Sequence, residues 1–258
     1  MAYKQLRLHN IEKNNKYSLY SQLLTILIIV GGVFVLAIMW KSKQRLQFVQ
    51  IKNTNALTQK EILNISGLDT SSHIYLKDIV LADIRQNILK HPFIKSVNVT
   101  HEDNGTISIS VQERVPIAAI KSVEGVLQYI DNEGKILPYR LFSIISDVPI
   151  VDGVETTVSA DSIGLTGLVE LLKELQFTKS GELYHQISEI LYDKHSSSFT
   201  LHSADAGFSV SVGKADKLND KFLSLYVFLF RELPRLRKNS IVNIDLRWSG
   251  QVVVTKKQ

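Results

Sequence analysis

The feature that most restricts what this chain can fold into is an uncharged stretch near its N-terminus. No Asp, Glu, Lys or Arg occurs between Tyr17 and Trp40, and residues 23–40 are almost wholly apolar. About 20 such residues in a helix cross a hydrocarbon core of about 30 Å. We therefore expect one transmembrane helix over residues 19–40, preceded by a tail of residues 1–18, with the bulk of the chain on the other side.

A cleaved signal peptide is the rival interpretation of this stretch. It fits less well, because the arm before the apolar run is long and no small-x-small cleavage site follows it. Charge does not decide the orientation, since the basic residues on the two flanks are nearly balanced and large domains cross the membrane regardless of such charges. The flanking basic residues are Lys4, Arg7, Lys13 and Lys16 before the helix, and Lys41, Lys43, Arg45 and Lys52 after it.

Composition and motifs argue against several kinds of chemistry. The 258 residues include no Cys, which excludes disulfides, thiolate metal sites and a thiol nucleophile. Basic and acidic residues interleave after residue 45, which is unlike a nucleic-acid surface. HExxH, P-loop, GxGxxG and GxSxG motifs do not occur. Glu113 beside Arg114 favours a solvated or salt-bridged pair over a catalytic carboxylate, so we expect no enzyme activity, cofactor or metal site.

The region of residues 46–116 predicts a small α+β unit. A short strand near Phe48 is followed by a helix that begins with a capping box, in which Thr58 and Glu61 each satisfy an amide of the first turn. Gly67 is well placed to end that helix. A second helix is expected over residues 78–89.

Two further strands complete this unit. The first begins at Ile94, and Asn104-Gly105 is a strong hairpin signal because both residues tolerate positive φ. The returning segment, residues 106–112, alternates apolar and polar side chains, as a half-buried strand does. The predicted order is strand, helix, helix, strand, strand.

The region of residues 117–258 predicts a second α+β unit. Residues 128–131 form a strand before an Asn-Glu-Gly turn, and leucines at helical spacing follow in residues 168–175. Phe199 and Phe208 mark two alternating strands that we interpret as a hairpin. A last helix with an apolar face over residues 218–233 precedes a terminal pair of strands.

The order of the first unit, just outside a membrane, resembles the polypeptide-transport-associated (POTRA) fold. Further segments, in order along the chain, resemble those of the FtsQ/DivIB family of bacterial cell-division proteins. These segments are His91-Pro92-Phe93-Ile94-Lys95-Ser96-Val97, Glu113-Arg114-Val115-Pro116-Ile117-Ala118, Val148-Pro149-Ile150-Val151-Asp152-Gly153, Val212-Gly213-Lys214 with Asp216-Lys217-Leu218, and Ile244-Asp245-Leu246-Arg247-Trp248 with Gln251-Val252-Val253-Val254.

The resemblance implies a bitopic scaffold of the division machinery. The tail of residues 1–18 would be cytoplasmic, and the POTRA domain (46–116) and an FtsQ-type β domain (117–258) would lie in the periplasm at the division septum, on the inner membrane. The partners would be the coiled-coil proteins FtsB and FtsL and, through them, the septal peptidoglycan synthase. In this family the POTRA domain is associated with septal targeting and the second domain with partner capture.

The final strand suggests how a partner is captured. A strand at a sheet border extends the sheet through its unpaired N–H and C=O groups, and residues 252–254 are good strand formers without proline. A strand that only completes the core is the equally weighted alternative. Trp248 favours packing over a binding anchor, and Asp245 with Arg247 favours a cross-strand salt bridge. The candidate partner-binding residues are Trp248, Gln251, Val252, Val253, Val254 and Lys256, with Lys257 just beyond.

Two other classes of protein remain as alternatives. One is a POTRA-containing envelope assembly or secretion factor, although neither a β-barrel nor repeated POTRA units are visible. The other is a membrane-anchored envelope enzyme, against which the missing polar constellations argue. Accumulation at midcell before constriction would distinguish a division protein from both.

Overall fold

The computed structural model describes residues 2–69, 74–141, 147–204, 207–235 and 241–256. Its first element is a long helix, α1, at Ala2–Ser42. Within α1 the stretch Tyr20–Trp40 is long and apolar enough to cross a membrane, and its large apolar side chains are exposed. Side chains that face outward along such a stretch suit a hydrocarbon surrounding, which agrees with the expected transmembrane helix.

The chain divides into two compact units. The first comprises Met1–Asn53, Thr58–Ile88 and Val97–Val111, and the second comprises Thr54–Leu57, Leu89–Ser96 and Gln112–Gln258.

A three-stranded sheet and two short helices follow α1. The sheet has the order β1-β3-β2, with β1 parallel to β3. The elements are β1 at Phe48–Lys52, α2 at Gln59–Ser66, α3 at Leu81–Leu89, β2 at Ile94–Glu102 and β3 at Thr106–Glu113. The predicted order of strand, helix, helix, strand and strand is thus confirmed.

Local signals in the sequence place most ends of these elements. Thr58 Oγ1 accepts a hydrogen bond from Glu61 N, and Glu61 Oε2 accepts one from Thr58 N at 2.8 Å, so the capping box is present. Gly67 ends α2 in the left-handed region, and Asn104 also has positive φ in the turn before β3. Helix α3 begins later than predicted because Ile79 is extended and separates it from a 3-10 turn.

The second sheet has nine strands in the order β12-β11-β10-β9-β8-β7-β4-β5-β6. Its strands are β4 at Pro116–Lys121, β5 at Leu127–Asp131, β6 at Ile136–Pro138, β7 at Ile150–Asp152, β8 at Ile187–Asp193, β9 at Ser198–Ser203, β10 at Ser209–Gly213, β11 at Ile241–Asp245 and β12 at Val253–Lys256. The predicted hairpin is the antiparallel pair β9 and β10.

Helices α4 (Thr166–Phe177) and α5 (Leu218–Val227) supply apolar side chains to the core of this sheet. Leu172 and Phe222 are among the fully buried side chains of that core. The last helix was predicted to continue regularly to residue 233, but a π-helical turn follows Val227. A 3-10 turn at Leu233–Arg235, which contains Pro234, comes next.

Candidate partner-binding edge

The last strand, β12, lies at one border of the nine-stranded sheet. It pairs antiparallel with β11, so that Asp245 is opposite Val253 and Asn243 is opposite Thr255. The prediction that the final strand forms a sheet border is confirmed. The strand begins at Val253, so Gln251 and Val252, which resemble the start of the family's last strand, precede it.

The hydrogen-bond pattern determines which backbone groups of β12 face the free side. Leu246 N donates to Ser211 O in β10 at 2.9 Å, and the N–H and C=O groups of successive strand residues point to alternate sides. Asp245 therefore directs its groups towards β12 and forms the hydrogen-bonded pair with its opposite residue, Val253. The next residue, Val254, directs its N–H and C=O away from β11. A further strand can use this donor and acceptor.

The valines of the terminal strand divide between two surroundings. Val252 and Val254 pack, half-buried, against the core of the sheet. Val253 is 43% exposed on the opposite face. One face of β12 therefore completes the core, as the alternative interpretation expected. The backbone edge of β12 that faces away from β11 remains at the border of the sheet.

The preference for a packed Trp248 was wrong, because this side chain is 61% exposed. Strand β11 ends at Asp245, so Trp248 lies in the following loop, in a turn closed by the hydrogen bond from Gln251 N to Trp248 O at 3.2 Å. Gln251 and Lys256 are exposed as well. Lys257 lies outside the described residues.

Arg247 holds the loop against the end of β11. Its Nη2 lies 2.6 Å from Asp245 Oδ2, and its Nε lies 2.9 Å from Asp245 Oδ1. These hydrogen bonds lower the pKa of Asp245. The predicted cross-strand salt bridge was wrong in its geometry, since Arg247 lies beyond the strand and turns back on a residue of the same segment.

A cleft of about 230 Å³ separates this loop from the start of α5. Its walls include two lysines and two aspartates on one side and Trp248 and Gln251 on the other; the charged residues are Lys217, Lys221, Asp216 and Asp220. Lys221 Nζ lies 2.6 Å from Asp216 Oδ1 and lowers the pKa of that carboxyl. The sequence alone did not predict that these lysines lie near the terminal loop. The lysines and the loop are separated along the chain by α5 and β11, and only the folded structure places them side by side.

The opposite border of the same sheet is closed. Strand β6 ends in Pro138, which has no N–H to donate. Ile136 N donates to Asp161 O at 2.9 Å, and Lys135 forms a β-bridge with Ser162. Of the two borders of the nine-stranded sheet, β12 is therefore the one suited to strand addition.

Glu113 and Arg114 each bind a different part of the fold. Glu113 and Arg114 do not pair with each other: Glu113 accepts hydrogen bonds from backbone amides, among them Ala56 N at 2.6 Å, and Arg114 binds Asp131. Within the described ranges of the chain, no group of three His, Cys, Asp or Glu side chains is arranged to hold a metal ion.

Comparison with known families agrees with this architecture. A family model described as FtsQ/DivIB, C-terminal related, matches residues 115–255, and one described as POTRA domain, FtsQ-type, matches residues 45–114. The chain belongs to the FtsQ/DivIB family. Membership assigns it to bacterial cell division and, with the apolar helix at Tyr20–Trp40, fits a single-pass membrane protein.

Named relatives of the FtsQ/DivIB family cover most of the chain. It is similar to the cell division protein FtsQ of Geotalea daltonii, with 28% identity over 218 residues, which are 82% of this chain and 76% of the relative. FtsQ of Geobacter sp. strain M21 is 27% identical over 220 residues, again 82% and 76% of the two chains. Cell division protein DivIB of Staphylococcus aureus is 26% identical over 156 residues, which cover 60% of this chain and 32% of DivIB.

Proposed function

We propose that this chain is a non-catalytic bitopic scaffold that links early and late division proteins by binding FtsB/FtsL-type partners. Residues 1–18 would form its cytoplasmic tail and residues 19–40 its anchor in the inner membrane. A POTRA domain (46–116) and an FtsQ-type β domain (117–258) would lie in the periplasm at the septum. Through its partners the chain would reach the septal peptidoglycan synthase.

The observation that carries this proposal is the orientation of Val254. Its N–H and C=O point away from β11 at the open border of the sheet, as the pairing of Asp245 with Val253 requires. An extended partner segment that pairs there gains main-chain hydrogen bonds without a change in the fold of the chain. The other border is closed by Pro138, which supports strand addition at the β12 border of this sheet.

The loop beside β12 supports the same site. Trp248 is an exposed aromatic side chain of the kind that anchors interfaces, and it borders a cleft with Lys217 and Lys221. Lys256 adds a cation at the far end of the strand. A partner segment that pairs with β12 and carries an acidic residue near Lys256 would match that charge.

A proline substitution tests the strand-addition site. Val254→Pro removes the N–H that faces the free border and leaves the hydrogen bonds to β11 intact. The amount of FtsB-type partner that copurifies should therefore fall about tenfold. Val254→Ala keeps that N–H and should retain the partner. Copurification of the partner with the full chain, alongside thermal melting of each variant, measures both properties.

Val253→Pro is the matched control, because it removes an N–H that faces β11 and not the free border. That N–H faces Asp245 in β11, so this variant should lower the melting temperature more than Val254→Pro, which keeps the ladder to β11 and loses only part of the packing of a half-buried side chain. Normal partner retention by a stably folded Val254→Pro protein would refute strand addition at β12.

Localisation tests the division role independently of the partner. A fluorescent protein fused to the N-terminus should gather at midcell before constriction, and depletion of the chain should block septum formation. Uniform envelope fluorescence together with normal division after depletion would contradict the proposal, as would turnover of an envelope substrate by the purified chain.

A further inference from the structure

We propose that a juxtamembrane cluster in the first unit binds the phosphate groups of anionic lipids in the adjacent leaflet. The cluster consists of Arg45, Tyr75 and Lys77, and we call it the Tyr75 cluster; Lys43 precedes Arg45 in the chain by two residues. It attaches the folded part of the first unit to the bilayer surface in addition to α1. The occupant is the lipid headgroup, and the inference is independent of partner binding at β12.

Backbone hydrogen bonds bring the two segments of the cluster together. Leu46 N donates to Ile74 O at 2.9 Å, and Leu76 N donates to Gln44 O at 3.0 Å. Arg45 and Tyr75 form the antiparallel bridge between these bonds. The segment that leaves the membrane helix is therefore held against residues 74–76 of the folded unit.

A second contact holds the same segment from the hairpin turn. Gln47 N donates to Gly105 O at 2.9 Å, and Gly105 has a φ of 76°. A Cβ at this position would collide with the carbonyl oxygen of Arg45. Because glycine has no Cβ, the backbone of Gly105 can lie against the backbone of Arg45. The segment from Gln44 to Gln47 is therefore packed on the folded unit and is not a free linker.

Two cations lie against one aromatic ring in this arrangement. Arg45 Cζ is 5.2 Å and Lys77 Nζ is 5.4 Å from the centroid of the Tyr75 ring. Arg45 Nη2 also donates to Tyr75 Oη at 3.5 Å. The ring attracts both cations and keeps two like charges near each other, so an anion that contacts both relieves their repulsion.

These cations have no acidic partner in the part of the chain that the structure describes. Lys43, Arg45 and Lys77 are all exposed and take part in none of its salt bridges, whereas Lys52 in the same unit pairs with Glu102 at 3.4 Å. The positive charge of the cluster is therefore available to a ligand.

Covalent continuity puts the cluster beside the bilayer. Lys43 N donates to Trp40 O at 3.2 Å, and Trp40 ends the apolar stretch of α1. A chain extends by at most about 3.5 Å per residue, so Arg45 lies within about 17 Å of Trp40. Each headgroup region extends about 5–8 Å beyond the hydrocarbon core, so it lies within this reach, and an aromatic ring with adjacent cations suits that boundary.

Lipid selectivity of the full chain tests the proposal. The chain, reconstituted in phosphatidylcholine bilayers, is titrated with spin-labelled phosphatidylglycerol or spin-labelled phosphatidylcholine, and the ratio of the two association constants is measured. A cation near an anionic surface contributes about fivefold at low salt, so Arg45→Gln and Lys77→Gln should each lower the ratio by up to about this factor. Lys52→Gln removes the same charge from the far end of β1 and should leave the ratio unchanged.

Two further measurements distinguish a lipid headgroup at the cluster from free phosphate and from the basic N-terminal tail. The basic residues before the apolar stretch of α1 are the same in every variant, so their contribution cancels in the comparison. An unchanged ratio in the Arg45→Gln, Lys77→Gln double variant, with native circular dichroism, would overturn the proposal. Competition by soluble glycerol 1-phosphate at the concentration of the labelled lipid would assign the cluster to free phosphate and would overturn the bilayer assignment as well.

Discussion

Arg114 Nη1 lies 2.6 Å from Oδ2 of Asp131, a carboxylate whose side chain is only 2% exposed. The other oxygen of Asp131 accepts the backbone N–H groups of Glu133 and Lys135 at 2.8 and 2.9 Å. Arg114 therefore neutralises a buried charge that also shapes the turn after β5. Arg114 is next to Glu113 in the sequence, but its ion-pair partner Asp131 lies at the end of β5.

Removal of the Arg114 guanidinium should destabilise the second unit strongly. Arg114→Met leaves the buried carboxylate of Asp131 without its cation, and loss of one partner of a buried pair costs about 3 kcal/mol. Chemical denaturation of the detergent-solubilised chain measures the free energy of unfolding. Lys95→Gln is the control, because the more exposed pair of Lys95 with Glu133 should contribute less than about 1 kcal/mol. Equal losses in both variants would contradict this ranking.

Glu113 should act as a backbone clamp and not as a catalytic acid. Its two carboxylate oxygens accept the amides of Asn55, Ala56 and Leu57 at 3.0, 2.6 and 3.0 Å. Glu113→Ala leaves these amides without their acceptor and should lower the free energy of unfolding by about 2 kcal/mol. Glu113→Gln retains one acceptor oxygen and should lose less. Faster hydrogen exchange at Ala56 and Leu57 in the alanine variant would confirm the mechanism, and unchanged exchange would refute it.

Gly153 should tolerate no side chain. Its φ is 80°, and a Cβ there would collide with the carbonyl oxygen of Tyr192 in β8. Gly153→Ala should therefore cost more than about 2 kcal/mol, since it combines backbone strain with a steric clash. Gly207 has a φ of 66° but open space around it, so Gly207→Ala should cost only about 1 kcal/mol. Thermal melting of both variants compares the two effects, and a smaller loss at Gly153 than at Gly207 would be the contradictory result.

Acid should loosen the loop beside β12. Hydrogen bonds from Arg247 lower the pKa of Asp245 below its ordinary 3.8. A carboxyl with a lowered pKa in the folded state gives its full stabilisation above the ordinary pKa and loses it as the pH falls through the folded value. Unfolding measured from about pH 6 down to about pH 2 should show this loss, and Arg247→Gln should reduce it. A carbon-13 titration of the Asp245 carboxyl that is unmoved by Arg247→Gln would refute the assignment.

Local patterns were sufficient to predict most of the elements. The apolar run of α1, the capping box of Thr58 and Glu61, and the Asn104-Gly105 turn depend on residues close together in the chain, so their patterns are recognisable without the tertiary structure. The leucine spacing of α4 likewise follows from helix geometry alone. The order of these elements carried the family resemblance, and the family models match the same regions.

Contacts between distant segments decided the candidate site. The exposure of Trp248 depends on where β11 ends, and the outward direction of the Val254 amide depends on the register of β11 against β10, which a single residue of slippage would reverse. The partners of Glu113 and Arg114 likewise come from other elements. Spacing along the chain determined which segments become helices and strands, because those interactions are short-ranged. Only the assembled sheet determined which backbone groups remain open to a partner, because an edge exists only relative to the strands beside it.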